Sequence, residues 1–303
     1  MPKKCLLKDP YFKRGFHVRG LGGSPENCMT QLEVKFGQAL SPEWNYCQWA
    51  ARYNLADPKE GKITEVSDGV FQLETKTNTL FCDTNNKTLI FTCNASKCYD
   101  KPRTADQPWQ HLLIETGFTS LDDPDDYTSV ARLKSLVISG KVQLLKFEDH
   151  MGDLFDEEIH AAQFLMFLTI HNGNKESKGF GEMIWFGINF FDNRYEWSEY
   201  TAMFDKGTAC LMVGNGNRPV YPGGKSFFEN GKIIAGEDTP EYAFEIEAVE
   251  RIKSAHETAR KEGYFQNTEF EDLYVTGMNL GWEMPGTYDV SMKLRDFDIT
   301  VEY

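Results

Sequence analysis

The chain is poor in the features that tie a protein to a metal, a cofactor or a nucleic acid. Its seven cysteines (Cys5, Cys28, Cys47, Cys82, Cys93, Cys98 and Cys210) are odd in number and irregularly spaced, with no Cys-x-x-Cys pair. That spacing encodes neither a disulfide framework nor a zinc site, so free thiols are expected. No H-E-x-x-H helix, G-x-S-x-G elbow or G-K-[S/T] phosphate loop occurs, and Asp149-His150 with His160 does not complete a metal motif. No metal and no cofactor is expected.

Positive charge is also scarce. Lys and Arg total 32 against 46 Asp and Glu, a net charge of −14. Such a surface repels a phosphate backbone and an anionic bilayer, so neither nucleic acid nor membrane is an expected partner. The longest apolar-rich run, 161–170, is half the roughly 20 residues that a membrane helix needs. The first ten residues lack the apolar centre of a signal peptide. A cytoplasmic location is the expectation from these features. Internal repeats and low-complexity segments are missing as well.

What the chain does have is strand chemistry. It is 41% hydrophobic and 14% aromatic, with 22 Phe and 13 Tyr, residues that fit a pleated, half-buried surface. Turn signals recur at 20–25, 67–69, 85–86, 172–174, 214–217, 222–224 and 230–231. Between them lie strand-like runs at 69–75, 79–83, 88–93, 111–115, 135–147, 163–171, 183–191, 209–213, 273–283 and 287–303. About twelve strands are expected, with a hairpin across Asn85-Asn86. One segment departs from this pattern. Thr239-Pro240-Glu241 has the form of a helix start, and apolar residues at helical spacing then run to a stop at Gly263. The expectation is an all-β, jelly-roll sandwich over residues 1–303 as a single domain, with one long surface helix at about 239–263.

Two stretches carry candidate chemistry. In 273–283, alternation puts Val275, Gly277, Asn279, Gly281 and Glu283 on one face and Tyr274, Thr276, Met278, Leu280 and Trp282 on the other. The first face is small and polar enough to floor a cleft. The turn Met284-Pro285-Gly286 is expected to return the next strand beside it. The second stretch, 179–195, holds Glu182, Trp185, Asp192 and Arg194. Exposed aromatic faces stack on sugar rings, which adds Trp44 and Trp109, with Arg103 and His111 as a rim beside Trp109. Each has a plainer alternative: core packing for Trp44 and Trp185, an ion pair for Asp192 with Arg194, a solvated strand end for Glu182, a turn acceptor for Glu283.

The pattern resembles the concanavalin A-like lectin/glucanase superfamily. Locally, Glu182-Met-Ile-Trp185 is similar to the nucleophile strand of family 12 glycoside hydrolases, and Gly281-Trp-Glu283 with Pro285 is similar to their acid/base strand. The family pattern has its nucleophile glutamate four residues before the tryptophan, where this chain has Gly181. The resemblance implies a carbohydrate-active protein, a retaining glycoside hydrolase acting on a β-glycan, with Glu283 and Glu182 as catalytic pair about 5 Å apart. Trp185, Asn279, Asp192, Arg194, Trp44 and Trp109 would bind an oligo- or polysaccharide. Two alternatives stay open: a non-catalytic lectin-like binder, and a structural or interaction sandwich without a sugar site.

Overall fold

The computed structural model describes residues 3–22, 29–205, 210–215 and 226–303. The turn signal at 222–224, parts of those at 20–25 and 214–217, the first residue of the 209–213 run, and Cys28 lie outside the described residues.

In chain order the strands are β1 (Lys3–Cys5), β2 (Phe16–Arg19), β3 (Thr30–Val34), β4 (Trp44–Cys47), β5 (Lys62–Ser67), β6 (Val70–Glu74), β7 (Asn78–Asp83), β8 (Thr88–Asn94), β9 (Gln110–Gly117) and β10 (Ser135–Asp149). They continue as β11 (Gln163–Asn172), β12 (Met183–Asp192), β13 (Thr201–Asp205), β14 (Cys210–Asn215), β15 (Phe228–Glu229), β16 (Lys232–Ile233) and β17 (Tyr242–Glu247). Helix α1 (Val249–Lys261) precedes the last two, β18 (Leu273–Met284) and β19 (Tyr288–Glu302).

Two large sheets result, the jelly-roll sandwich expected from the turn spacing. One has eight strands, in the order β17-β10-β19-β8-β7-β6-β5 with β1 on β19; the other has nine, in the order β13-β14-β12-β11-β18-β9-β4-β2-β3. Pairing is antiparallel except for β12 with β14 and β2 with β4. The expected hairpin forms between β7 and β8. The sheets meet over aromatic side chains. Phe164 of β11 lies 5.4 Å from Phe91 of β8 and 5.1 Å from Trp282 of β18, and the Trp282 indole donates to the Phe91 carbonyl at 2.9 Å. The six described cysteines form no disulfide with one another. No helix among the described residues is long and apolar enough to cross a membrane.

Three local expectations are corrected. The helix begins at Val249, not near 239, because Tyr242, Phe244 and Ile246 alternate with exposed Ala243, Glu245 and Glu247 and pair with β10 as a strand. The period of two at the start of the segment overrides the helical spacing that follows it. The helix buries Ile252, Ala255, His256 and Ala259 along one face.

Next, β19 does not return beside β18. It pairs with β10 and β8 in the opposite sheet. Pro285 has no N–H to continue a ladder, Gly286 donates to the Ala161 carbonyl at 2.9 Å, and the chain crosses the roughly 10 Å between packed sheets.

Finally, Val275 packs in the core. The register of β18 on β11 jumps between Gly277 and Val275, a bulge that turns Thr276 outward. There its hydroxyl meets Thr169 Oγ1 at 2.9 Å and His171 Nδ1 at 2.6 Å.

Candidate functional site

The outer face of the nine-stranded sheet carries a groove of about 720 Å³. Its floor, formed by Gln163, Leu165, Phe167, Gly187, Asn189, Asp192 and Glu283, belongs to rows that run across the strands and continue onto β9. Glu283 of β18 stands in register with His111 of β9 on one side and Gln163 of β11 on the other, and Asp192 of β12 extends the row. The next row runs Leu113, Gly281, Leu165, Asn189; the one after runs Glu115, Asn279, Phe167, Gly187. Met203 of β13 and Met212 of β14 form the far wall with Trp197 and Glu199.

Two glycines make this floor possible. A Cβ on Gly281, whose φ is +149°, would lie 2.1 Å from the Leu112 carbonyl oxygen, so only glycine lets β9 approach β18 beside Glu283. A Cβ on Gly187 would meet the Phe167 ring at 2.7 Å; the bare backbone lets that ring lie across β12.

Glu283 points into the groove with no side-chain hydrogen bond or ion pair to any described residue. Removal from water pushes its carboxyl up to about 7, and the negative charge of Asp205 adds to the rise. Its neighbour His111 does not neutralise it. The Trp109 indole, a donor only, gives its proton to His111 Nε2 at 3.0 Å, so the imidazole proton sits on Nδ1, facing the Trp109 carbonyl at 3.2 Å. Burial lowers the His111 pKa to about 4. A neutral imidazole therefore stands beside a carboxyl that keeps its proton well above the ordinary range.

On the opposite side, the Gln163 amide donates to Asp192 Oδ2 at 2.8 Å. Arg194 grips both oxygens of Asp192, with Nε on Oδ1 at 2.9 Å and Nη2 on Oδ2 at 2.7 Å. The ion-pair reading of Asp192 with Arg194 is the one realised, at the end of the groove. Asn189 lines the groove and Asn279 lies in the next row of the sheet, and among the described residues neither buried side-chain oxygen has a hydrogen-bond partner. Such orphaned acceptors are costly unless a ligand or water completes them. Farther along β9, Glu115 accepts from Asn45 at 2.9 Å, and loss of water raises its pKa.

The other sequence candidates are distributed as follows. Trp185 lies on the groove face of β12, its ring 5.7 Å from Phe167 in an edge-to-face contact. Trp109 is 38% exposed at the start of β9, with the Arg103 guanidinium 5.3 Å from its ring centre. The rim of Arg103, Trp109 and His111 therefore lies beside Glu283.

Trp44 is a correction. It is fully buried, donates to the Asp9 carbonyl at 2.8 Å and packs on Phe12 at 5.0 Å. Strand β4 turns Trp44 and Tyr46 inward, leaving Asn45 and Cys47 in register with groove-face residues of β9.

Glu182 is the larger correction, because it does not face Glu283. It sits in the turn before β12 and accepts from Thr268 Oγ1 at 2.5 Å. The adjoining row, Met183 with His171 and Tyr274, is nine residues along β18 from Glu283, about 30 Å at strand spacing. The two glutamates lie at opposite ends of the sheet and do not form a retaining pair.

The residue that the sequence reading missed is Gln163. Its signal was present: Gln163, Leu165 and Phe167 alternate with core residues from the first position of β11. Asn189, Met203 and Met212 were missed for lack of a distinctive pattern.

One cluster of metal-ligand types occurs among the described residues: Glu148, His150 and Asp289, on the other sheet. The Lys146 ammonium lies 3.1 Å from Glu148 and 3.6 Å from Asp289, so a cationic side chain already balances the two carboxylates.

No family model matches the chain, and no curated protein matches it. Solved structures similar to it include endoglucanase cel12A from Rhodothermus marinus, at 11% identity over 80% of this chain and 96% of that one, with a TM-score of 0.40. A xyloglucanase domain of NopAA, a type three effector from Sinorhizobium fredii solved with cellobiose, matches at 8% over 80% and 96%, TM-score 0.38. The family 11 xylanase from Neocallimastix patriciarum matches at 8% over 81% and 97%, TM-score 0.40. Likenesses this distant carry no conclusion about the groove, whose side chains have to speak for themselves.

Proposed function

We propose that the groove face binds an oligo- or polysaccharide across Glu283. The observation that carries this reading is the Glu283 carboxyl itself: largely enclosed, without a hydrogen-bond or ion-pair partner among the described residues, and set in a groove that is also lined by Asn189, whose amide oxygen is unmatched. A sugar ring offers hydroxyls to Asn279, Asn189 and Glu283, and an apolar C–H face to Leu165, Phe167 and Trp185. Ligand sites are built in this way, from an apolar bed and a few placed polar groups. A dry apolar ligand would leave the same acceptors unsatisfied.

Glycoside hydrolysis is the second reading, favoured by one feature. A carboxyl that holds its proton up to about pH 7 is suited to protonate a leaving oxygen.

A glycan array read together with reducing-sugar release tests both readings, with wild type and Glu283→Gln compared. Binding by wild type supports the first, and the variant should weaken it through a lost hydrogen bond, an effect of about 1–3 kcal/mol. Release of new reducing ends that the variant abolishes supports the second. If wild type neither binds nor cleaves any glycan presented, the carbohydrate reading is wrong.

A further inference from the structure

We propose that Gln163 is the ligand-positioning residue of this groove and that it occupies the place where double displacement needs a second carboxylate, so that the groove holds a glycan without cleaving it. The proposal rests on the carbohydrate reading above and decides between its two forms.

The argument starts from register. Residues directly opposite on adjacent antiparallel strands have side chains about 4.5–5.5 Å apart at Cβ. Retaining hydrolysis requires two carboxyls at about 5–5.5 Å. Among the described residues, those directly opposite Glu283 on the adjacent strands are Gln163 and His111. Neither is an acid, and both His111 ring nitrogens are engaged by Trp109.

The remaining carboxylates are elsewhere or occupied. Asp192 accepts from the Arg194 backbone N–H at 3.0 Å, from Arg194 Nε and Nη2, and from Gln163, which leaves it little capacity as a base. Glu115 is four residues along β9 from His111, about 13 Å away at strand spacing. Glu199 belongs to the far wall of the groove, and Asp205 lies on β13, with β14, β12 and β11 between it and β18 in the strand order, so that it acts on Glu283 through its charge. Glu182 is at the other end of the sheet.

The orientation of the Gln163 amide is also fixed. An ionised carboxylate only accepts, so the Gln163 NH₂ must face Asp192, and its carbonyl oxygen is left for the groove. Asp192 is itself locked by Arg194. A free carbonyl next to a protonated carboxyl presents an acceptor beside a donor. That pair matches two neighbouring hydroxyls of a pyranose, and it is held by backbone register rather than by a mobile loop.

The test uses calorimetric titration of cellohexaose, xylohexaose, laminarihexaose and chitohexaose into the full chain, with the same mixtures assayed for new reducing ends. The expected result is binding of at least one hexaose with no new ends. Gln163→Ala should weaken that binding about five- to tenfold. The double variant Gln163→Ala with Glu283→Gln should weaken it by less than the product of the two single effects, since both contact the same hydroxyl pair. A residue with only a structural role would give multiplying effects and a matching fall in thermal stability. New reducing ends from wild type, lost in Glu283→Gln, would overturn the proposal and leave the carbohydrate reading standing. Unchanged affinity in Gln163→Ala would overturn the positioning role. Neither binding nor cleavage of any hexaose would sink the carbohydrate reading and this proposal together.

Discussion

The two faces of the nine-stranded sheet are built to different ends. On the core face the large indoles are complete: Trp282 donates to Phe91 and Trp44 to Asp9. On the groove face, one residue away along the same strand, Glu283 has no hydrogen-bond or ion-pair partner among the described residues and Asn279 leaves an oxygen unmatched. A buried polar group left unpaired costs about 1–3 kcal/mol. The core face carries an orphan too, the buried Tyr46 hydroxyl, but its packed rings stabilise the sandwich, whereas the groove face is held in place against a local cost. That is the arrangement expected where a ligand completes the hydrogen bonds.

The contrast can be broken most forcefully at Trp282. Trp282→Ala removes a fully buried ring and its hydrogen bond to Phe91, and should cost about 3–5 kcal/mol in urea unfolding. A loss under about 1 kcal/mol would mean that the two faces are not energetically distinct.

Its neighbour should behave in the opposite way. The Glu283 carboxyl binds its proton more tightly in the folded state, at about 7 against an ordinary 4.5. Folding stability from this group therefore falls as pH rises from about 4.5 to about 7, and is level above that. Glu283→Gln removes the penalty. The variant should be more stable than wild type at pH 8, by roughly 3 kcal/mol at most, and no more stable at pH 4. Equal stability at both pH values would show that the carboxyl is not strained.

The same variant isolates two histidines. Burial lowers the pKa of both His111 and His171 to about 4, so the unfolded chain takes up more protons as pH falls below about 6.5. Glu283→Gln should thus lose stability steadily between pH 6.5 and 4, and a flat melting profile over that range would contradict the assignment of neutral imidazoles.

The smallest effect is expected at the far end of the sheet. Glu182→Gln disturbs one hydrogen bond from Thr268 and should cost about 1 kcal/mol, with glycan affinity unchanged. If it impaired binding as strongly as Glu283→Gln, the separation of the two ends would be functionally wrong.

Much of the sandwich was legible because strands announce themselves through alternation and turns through Gly, Asn and Pro. The β7–β8 hairpin and the small groove face of Gly277, Asn279, Gly281 and Glu283 could be read directly. What alternation does not encode is the partner of each strand. Met284-Pro285-Gly286 looks like a hairpin turn, yet it carries the chain into the opposite sheet. Trp44 and Asn45 differ in fate only by the phase of a four-residue strand. Glu182 sits next to a strand that does form, but at the end remote from Glu283, because β11 runs antiparallel to both β12 and β18 and fixes which ends meet. Gln163 went unnoticed for the same reason. A glutamine in an alternating strand is ordinary until register sets it across from an unpartnered acid.

The central claim is that Glu283 is a protonated, unpartnered carboxyl waiting for a sugar. The most direct measurement is its titration by carbon-13 NMR, in the free protein and with a saturating oligosaccharide from the array. The account predicts a midpoint near 7 in the free protein, displaced when the ligand binds. A midpoint near the ordinary 4.5, unmoved by any glycan, would contradict it.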